Sequence, residues 1–291
     1  MKTLVIVSAL ALVLVACSDS TEPTPGSTDK AEAPRAVGVS LADIVAHDRR
    51  NETSTRDEWR HPLETLAFFA IEPDMTIVEV LPGNGGWYSQ ILNPLTAEQG
   101  RLIGVTYPDS LWVQMFSTWN EENQEKYAGD ATQMARYMSV EGVVRSQPIV
   151  GYTISSIPDD ENGRADAVLF IRAMHHLFRF EQPLVDTALS EVFDVLAPGG
   201  VVGVVQHRAP EDADAEFANG DNGYLKQSDV VSAFERAGFV LEETSELNAN
   251  PNDPADGIVW RLPPSTTDNP DTSAIGESDR MTLRFRKPTA E

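Results

Sequence analysis

Met75-Thr76-Ile77-Val78-Glu79-Val80-Leu81-Pro82-Gly83-Asn84-Gly85-Gly86-Trp87-Tyr88-Ser89-Gln90-Ile91-Leu92 is the stretch on which the fold turns. It opens with a β-branched apolar run, the pattern of a buried parallel strand. A glycine turn follows, after which Trp87, Ile91 and Leu92 recur at helical spacing. Strand, glycine turn and helix together bring bare backbone N–H groups and a helix N-terminus up to a ligand. Gly83, Gly85 and Gly86 suit that task, because a Cβ would hold the ligand away or forbid the turn. No Gly-Lys-Ser/Thr follows, which excludes a phosphate loop of the Walker type. Tyr88 stands where the third glycine of a dinucleotide fingerprint would be.

Outward from this unit, strands are expected at 100–106, 149–154, 165–172, 201–206, 238–241 and 280–286. Helices are expected at 40–47, 56–71 with a break near His61-Pro62, 110–127, 130–139, 181–196 and 227–237. The alternation predicts an α/β fold with a mostly parallel seven-stranded sheet, helices ahead of the first strand, and an antiparallel last strand paired with 238–244. The polar, Pro- and Asn-rich stretch 248–279 interrupts that last hairpin as a loop or a lid. Ligands of open parallel sheets lie beyond the carboxyl ends of the strands. Arg172, His175 and His176 follow the fourth strand, and His207 and Arg208 end the fifth, so they are candidates for the site. A metal role is not expected for the two adjacent histidines, since neighbours on a strand project to opposite faces and no acid or cysteine is well spaced from them.

The 291 residues carry 22 Lys and Arg against 45 Asp and Glu, a net charge of −23 that argues against nucleic acid as a partner. Lys2 and the apolar run Leu4–Val15 read as an export leader too short to span a membrane. Leu14-Val15-Ala16-Cys17 resembles the lipobox of bacterial lipoproteins. The resemblance implies a signal peptide over 1–17, lipidation of Cys17, and a place at the periplasmic face of the outer membrane or the cell surface. Cys17 is the only cysteine, so no disulfide framework is available. Residues 18–38 read as a solvated tether, and 39–291 as one domain of about 250 residues, ample for a full core.

Glu79-x-x-Pro82-Gly83-x-Gly85 resembles the first motif of the class I S-adenosylmethionine-dependent methyltransferases. Leu196-x-Pro198-Gly199-Gly200 before an apolar strand is a second shared feature. With Arg60-His61-Pro62, Arg172-x-x-His175-His176 and Gly203–Ala209, the chain is similar to a family of predicted bacterial methyltransferases, many of them exported. The resemblance implies a Rossmann-like methyltransferase fold and direct transfer of a methyl group from S-adenosylmethionine to a small-molecule acceptor. Glu79, Pro82, Gly83, Asn84, Gly85, Gly86 and Thr106 would hold the cofactor. His175, His176 and His207 would take the proton, and His61, Tyr88, Arg172, Arg208 and Tyr224 would bind substrate or a carboxylate. Two positions depart from the pattern: Thr106 stands where an acid grips the ribose, and Leu81 where many members have glycine. The export leader also conflicts with a cytoplasmic cofactor, so a second reading is a lipid-anchored envelope binding protein on the same scaffold, without methyl transfer. A hydrolase is disfavoured, since no Gly-x-Ser-x-Gly elbow is present.

Overall fold

The structure is a computed structural model that describes residues 39–83, 86–115, 131–180 and 182–289. The leader, Cys17, the tether, Asn84 and Gly85 lie outside the described residues. The strands are β1 (Thr76–Val80), β2 (Arg101–Thr106), β3 (Val150–Thr153), β4 (Ala165–Ile171), β5 (Leu196–Ala209), β6 (Leu225–Lys226), β7 (Val240–Ser245) and β8 (Arg280–Arg286). They form one sheet in the order β3-β2-β1-β4-β5-β8-β7, with β6 paired to the end of β5. Pairings from β3 to β5 are parallel, and β8 is antiparallel to both β5 and β7. This is the expected Rossmann-like α/β arrangement of seven strands with an antiparallel last strand, plus the two-residue β6 where a helix start was expected at Tyr224.

The described helices include α1 (Leu41–Val45), α2 (Asp57–Arg60), α3 (Pro62–Phe68), α4 (Ser89–Leu95), α5 (Asp109–Met115), α6 (Ala131–Tyr137), α7 (Met174–Phe178), α8 (Gln182–Val195) and α9 (Gln227–Arg236). Ser40 caps α1 by accepting from Asp43 N–H, and the α2–α3 break falls at His61, whose φ of 41° is left-handed ahead of Pro62. Strand alternation sorts the side chains into two cores. Val78, Val80, Val168, Phe170, Val202 and Val204 meet α8 and α9 through Leu189, Val192, Val230 and Phe234. Ile77, Leu102, Leu169 and Val205 meet Ile44, Phe69, Ile91, Leu92 and Met134 of the other layer. Period two on the strands and an apolar face on each helix thus give helix, sheet, helix.

Gly203 shows how closely the second layer is seated. A Cβ built there falls 2.7 Å from the Phe69 ring and 2.9 Å from Leu169 Cδ2, so only hydrogen lets Phe69 lie on the sheet. The stretch 248–279, inserted between β7 and β8, is held by a buried polar network. Asn248 Nδ2 donates to Thr65 Oγ1 and Thr282 Oγ1, and Asn250 Nδ2 donates to the carbonyls of Ile275 and Glu277. Asp253 accepts from Tyr224 OH at 2.8 Å and from Asp279 N–H at 2.9 Å.

Candidate active site

After β1 the chain builds the sheet outward through β2 and β3, then returns to place β4 on the other side of β1. The connections therefore diverge between the carboxyl ends of β1 and β4, which opens a crevice there. A cavity of about 460 Å³ occupies it. The end of β1 contributes Glu79, Leu81, Pro82 and Gly83, β2 contributes Thr106 and Tyr107, and β4 contributes Ile171 and Arg172. His175 and His176 enter from α7 and His207 from β5, while Arg56 and Arg60 come from the segment before β1. The cover is the 248–279 segment, with Val259, Trp260, Pro263 and Pro264 on the wall and Glu277 and Ser278 where the segment rejoins the sheet.

Glu79 is 2 % exposed, on the α3–α4 side of β1, and accepts a 2.6 Å hydrogen bond from Ser89 Oγ at the start of α4. Burial pushes its carboxyl up to about 7, against the opposing pull of the Ser89 hydrogen bond. Next to it the backbone turns sharply: Leu81 has φ 52°, Gly83 72° and Gly86 49°. Leu81 thus occupies the left-handed region that glycine enters without cost. Thr106 Oγ1 and the Tyr107 hydroxyl are buried on the wall with no hydrogen-bond partner among the described residues.

The three histidines converge. Ring centroids lie 4.0 Å apart for His175 and His176 and 5.4 Å apart for His175 and His207. The adjacent pair sits in a helical turn rather than on a strand, so both rings reach the cavity and the expectation of opposite faces is corrected. His175 Nδ1 contacts Gln206 Oε1 at 3.2 Å, His207 Nδ1 contacts Ser278 Oγ, and His176 Nδ1 has no partner among the described residues. Burial drives all three imidazoles well below their usual range, His176 to about 3. They are neutral around pH 7. Among the described residues no group of three or more His, Cys, Asp or Glu is placed to hold a metal ion.

Three guanidinium groups converge on one buried carboxylate beside the cavity. Arg56 Nε donates to Glu277 Oε1 at 2.6 Å, Arg280 Nη1 to Oε2 at 2.9 Å, and Arg60 Nε reaches Oε2 at 3.5 Å. Burial alone would raise the Glu277 carboxyl, but Arg280, Arg60 and Arg56 outweigh it and hold it at about 2. Arg60 also lies over the Trp87 ring at 4.6 Å. Arg172, at φ 57°, presents its side chain with no hydrogen bond or ion pair among the described residues.

Of the residues expected from sequence, Glu79, Pro82, Gly83, Thr106, Tyr88, Arg172, His175, His176 and His207 line the cavity. Gly86 shapes the turn from off the wall. His61 is the hinge residue between α2 and α3 and does not line the cavity; its neighbour Arg60 does. Arg208 is taken up by Glu246 and Asp279, and Tyr224 stacks on Phe217 while donating to Asp253, so neither faces the cavity. Arg56, Glu277, Ser278 and Trp260 were not expected. Arg56 and Arg60 have a legible signal, a spacing of four that sets both on one helical face.

No protein-family model matches the sequence, and no curated protein matches it. Among solved structures, the chain is similar to a SAM-dependent methyltransferase from Aquifex aeolicus, at 14% identity over 85% of this chain and 98% of that one, TM-score 0.48. It is also similar to a geranyl diphosphate methyltransferase in complex with SAM, at 14% identity over 87% and 92%, TM-score 0.49. A third is the cyclase SpnF, at 15% identity over 79% and 81%, TM-score 0.49.

Proposed function

We propose that the cavity is the active site of an S-adenosylmethionine-dependent methyltransferase acting on a small molecule. The observation that carries this reading is a buried carboxyl, Glu79, together with a glycine turn and a Thr106 hydroxyl that has no partner among the described residues, all lining one cavity at the strand crossover. The cavity volume of about 460 Å³ falls in the range of small-molecule sites. Glu79 suits the cofactor's ammonium group, and the Thr106 hydroxyl suits a ribose oxygen. Trp87 is taken up by the Arg60 and Arg50 guanidinium groups, at 4.6 and 5.0 Å, which leaves Tyr88 beside it on the wall as the aromatic surface for a cation.

Bound S-adenosylmethionine supplies an electrophilic methyl on a sulfonium. A heteroatom of the acceptor, held in line, would take that methyl as the carbon–sulfur bond breaks, with the bonding pair left on sulfur. The acceptor's proton leaves to a neutral imidazole of the histidine cluster or onward to water. The chain's main contribution is alignment: the cover segment excludes water while the β1 turn and the β4 end hold the two partners in line.

Isothermal titration with S-adenosylmethionine and S-adenosylhomocysteine tests the reading. Wild type is expected to bind both, and Gly83→Arg, which fills the turn, to bind neither while keeping its circular dichroism. A folded wild-type protein that takes up neither compound at millimolar concentration ends the case. We further propose, on the lipobox resemblance, that the protein is an exported lipoprotein. Incorporation of labelled palmitate that is lost in Cys17→Ala is the expected result, and equal incorporation in both overturns it.

A further inference from the structure

The cavity holds more positive charge than methyl transfer calls for. Arg56, Arg60 and Arg172 line it, and Arg280 stands behind them sharing Glu277. Among the described residues, Glu277 is the only carboxylate that ion-pairs with any of these four. Three charges are therefore unmatched, in a protein whose net charge is −23. Donors are left over as well: among the described residues Nη2 of Arg56 and Nη2 of Arg60 are buried without a partner, and Arg172 feels the charge of Glu277 without a hydrogen bond or ion pair to it. Arg60 is only 3 % exposed. Burying unpaired cations together is unfavourable unless an anion completes the set. In keeping with this, burial and the charge of Arg172 depress Arg60, while burial, with Arg56 and Arg280 opposing Glu277, brings Arg172 down to about 10.

The cofactor does not supply the missing anion. S-adenosylmethionine carries a sulfonium and an ammonium against one carboxylate, so its arrival makes the cavity more positive. The second ligand has to bring negative charge. Resting on the methyltransferase reading, we infer that the methyl acceptor is an oxyanion, a small molecule whose phosphate or carboxylate group is held by Arg56, Arg60 and Arg172. Planar guanidinium forks match the paired oxygens of such groups. Arg172 lies three residues before His175 on the same β4–α7 turn, so an anion at Arg172 sets the rest of the acceptor near the histidine rings. Its charge would also offset the arginine field that helps keep those imidazoles from accepting a proton.

The test is calorimetric titration of the full chain with inorganic phosphate and with malonate at constant ionic strength, and separately with S-adenosylhomocysteine and 5′-methylthioadenosine, which lacks the amino-acid moiety. Wild type is expected to bind phosphate or malonate. Arg172→Gln is expected to weaken that binding at least tenfold, Arg172→Lys to recover part of it, and S-adenosylhomocysteine to bind both variants within twofold of wild type. Two results overturn the inference. One is uptake of S-adenosylhomocysteine with no uptake of either anion. The other is an Arg172→Gln defect as large for S-adenosylhomocysteine as for phosphate but absent for methylthioadenosine, which would assign the arginine to the cofactor's carboxylate. Anion binding that depends on Arg172 in a protein taking no adenosyl compound would sink the methyl-transfer reading and leave the oxyanion site standing.

Discussion

Glu79 is a carboxyl whose protonation is poised by burial. At about 7 it is half-ionised near neutrality, and a cationic ligand binds only the ionised form. Cofactor affinity is therefore expected to rise with pH up to about 7, by as much as tenfold per unit on the acid side, and to level above it. Glu79→Gln should flatten the curve, as titrations from acid to mildly alkaline pH would show; a flat wild-type curve would remove Glu79 from the ammonium. Leu81 makes a second residue-scale test. Its side chain packs in the core while its φ of 52° is strained. Truncation to Ala forfeits the packing and keeps the strain, whereas truncation to Gly forfeits the packing and releases about 1 kcal/mol. Leu81→Gly is accordingly expected to unfold at an equal or higher urea concentration than Leu81→Ala, the reverse of the usual order.

Gly203 sets how near α3 and Phe69 approach the sheet. Gly203→Ala should cost about 1–3 kcal/mol, because two of the three atoms it would meet belong to the rigid, buried Phe69 ring, which can yield only by moving as a whole; urea midpoints measure it. Strands such as Thr76–Val80 and Arg280–Arg286 were legible because apolar period and turn residues are local signals. Other elements were not. The helix at Met174–Phe178 has five residues and no side-chain cap, so nothing in the sequence marks it. β5 begins at Leu196 because that residue pairs with Ala165 across a bulge, although Pro198-Gly199-Gly200 reads as a turn. The cover owes its order to partners far away in sequence, such as Thr65 for Asn248. The same distance hid Glu277 and Ser278 from the candidate site, since an acid just before a last strand has no local signature. Asn250→Ala strips the Ile275 and Glu277 carbonyls of a buried donor, a loss of about 1–3 kcal/mol. Faster hydrogen exchange confined to 259–278 is the expected readout, and unchanged exchange there would show that the network does not hold the cover.

Across the whole molecule, three neutral buried histidines make stability a function of pH. Their imidazoles take up protons near 6.5 once unfolded but resist them in the fold, His176 down to about 3, so the unfolded state binds more protons below about 6.5 and stability is lost as the pH drops. Glu79 works the other way, being protonated in the fold between about 7 and its ordinary value of 4.5. The one proton of His176 is offset by that of Glu79, so the net loss of stability on acidification below about 6.5 comes from His175 and His207, which are also kept neutral in the fold. Urea unfolding at successive pH values should show this fall, and His176→Gln should make it shallower; a pH-independent midpoint across that range would contradict the burial of the imidazoles. The placing of 248–279 between two hydrogen-bonded neighbours, β7 and β8, has a consequence for how such a protein diversifies. Both ends of the insert leave from one ladder, so an exchanged segment inherits its anchorage ready-made. A lineage can retailor what the chamber admits by swapping that cassette, leaving the crossover beneath it untouched.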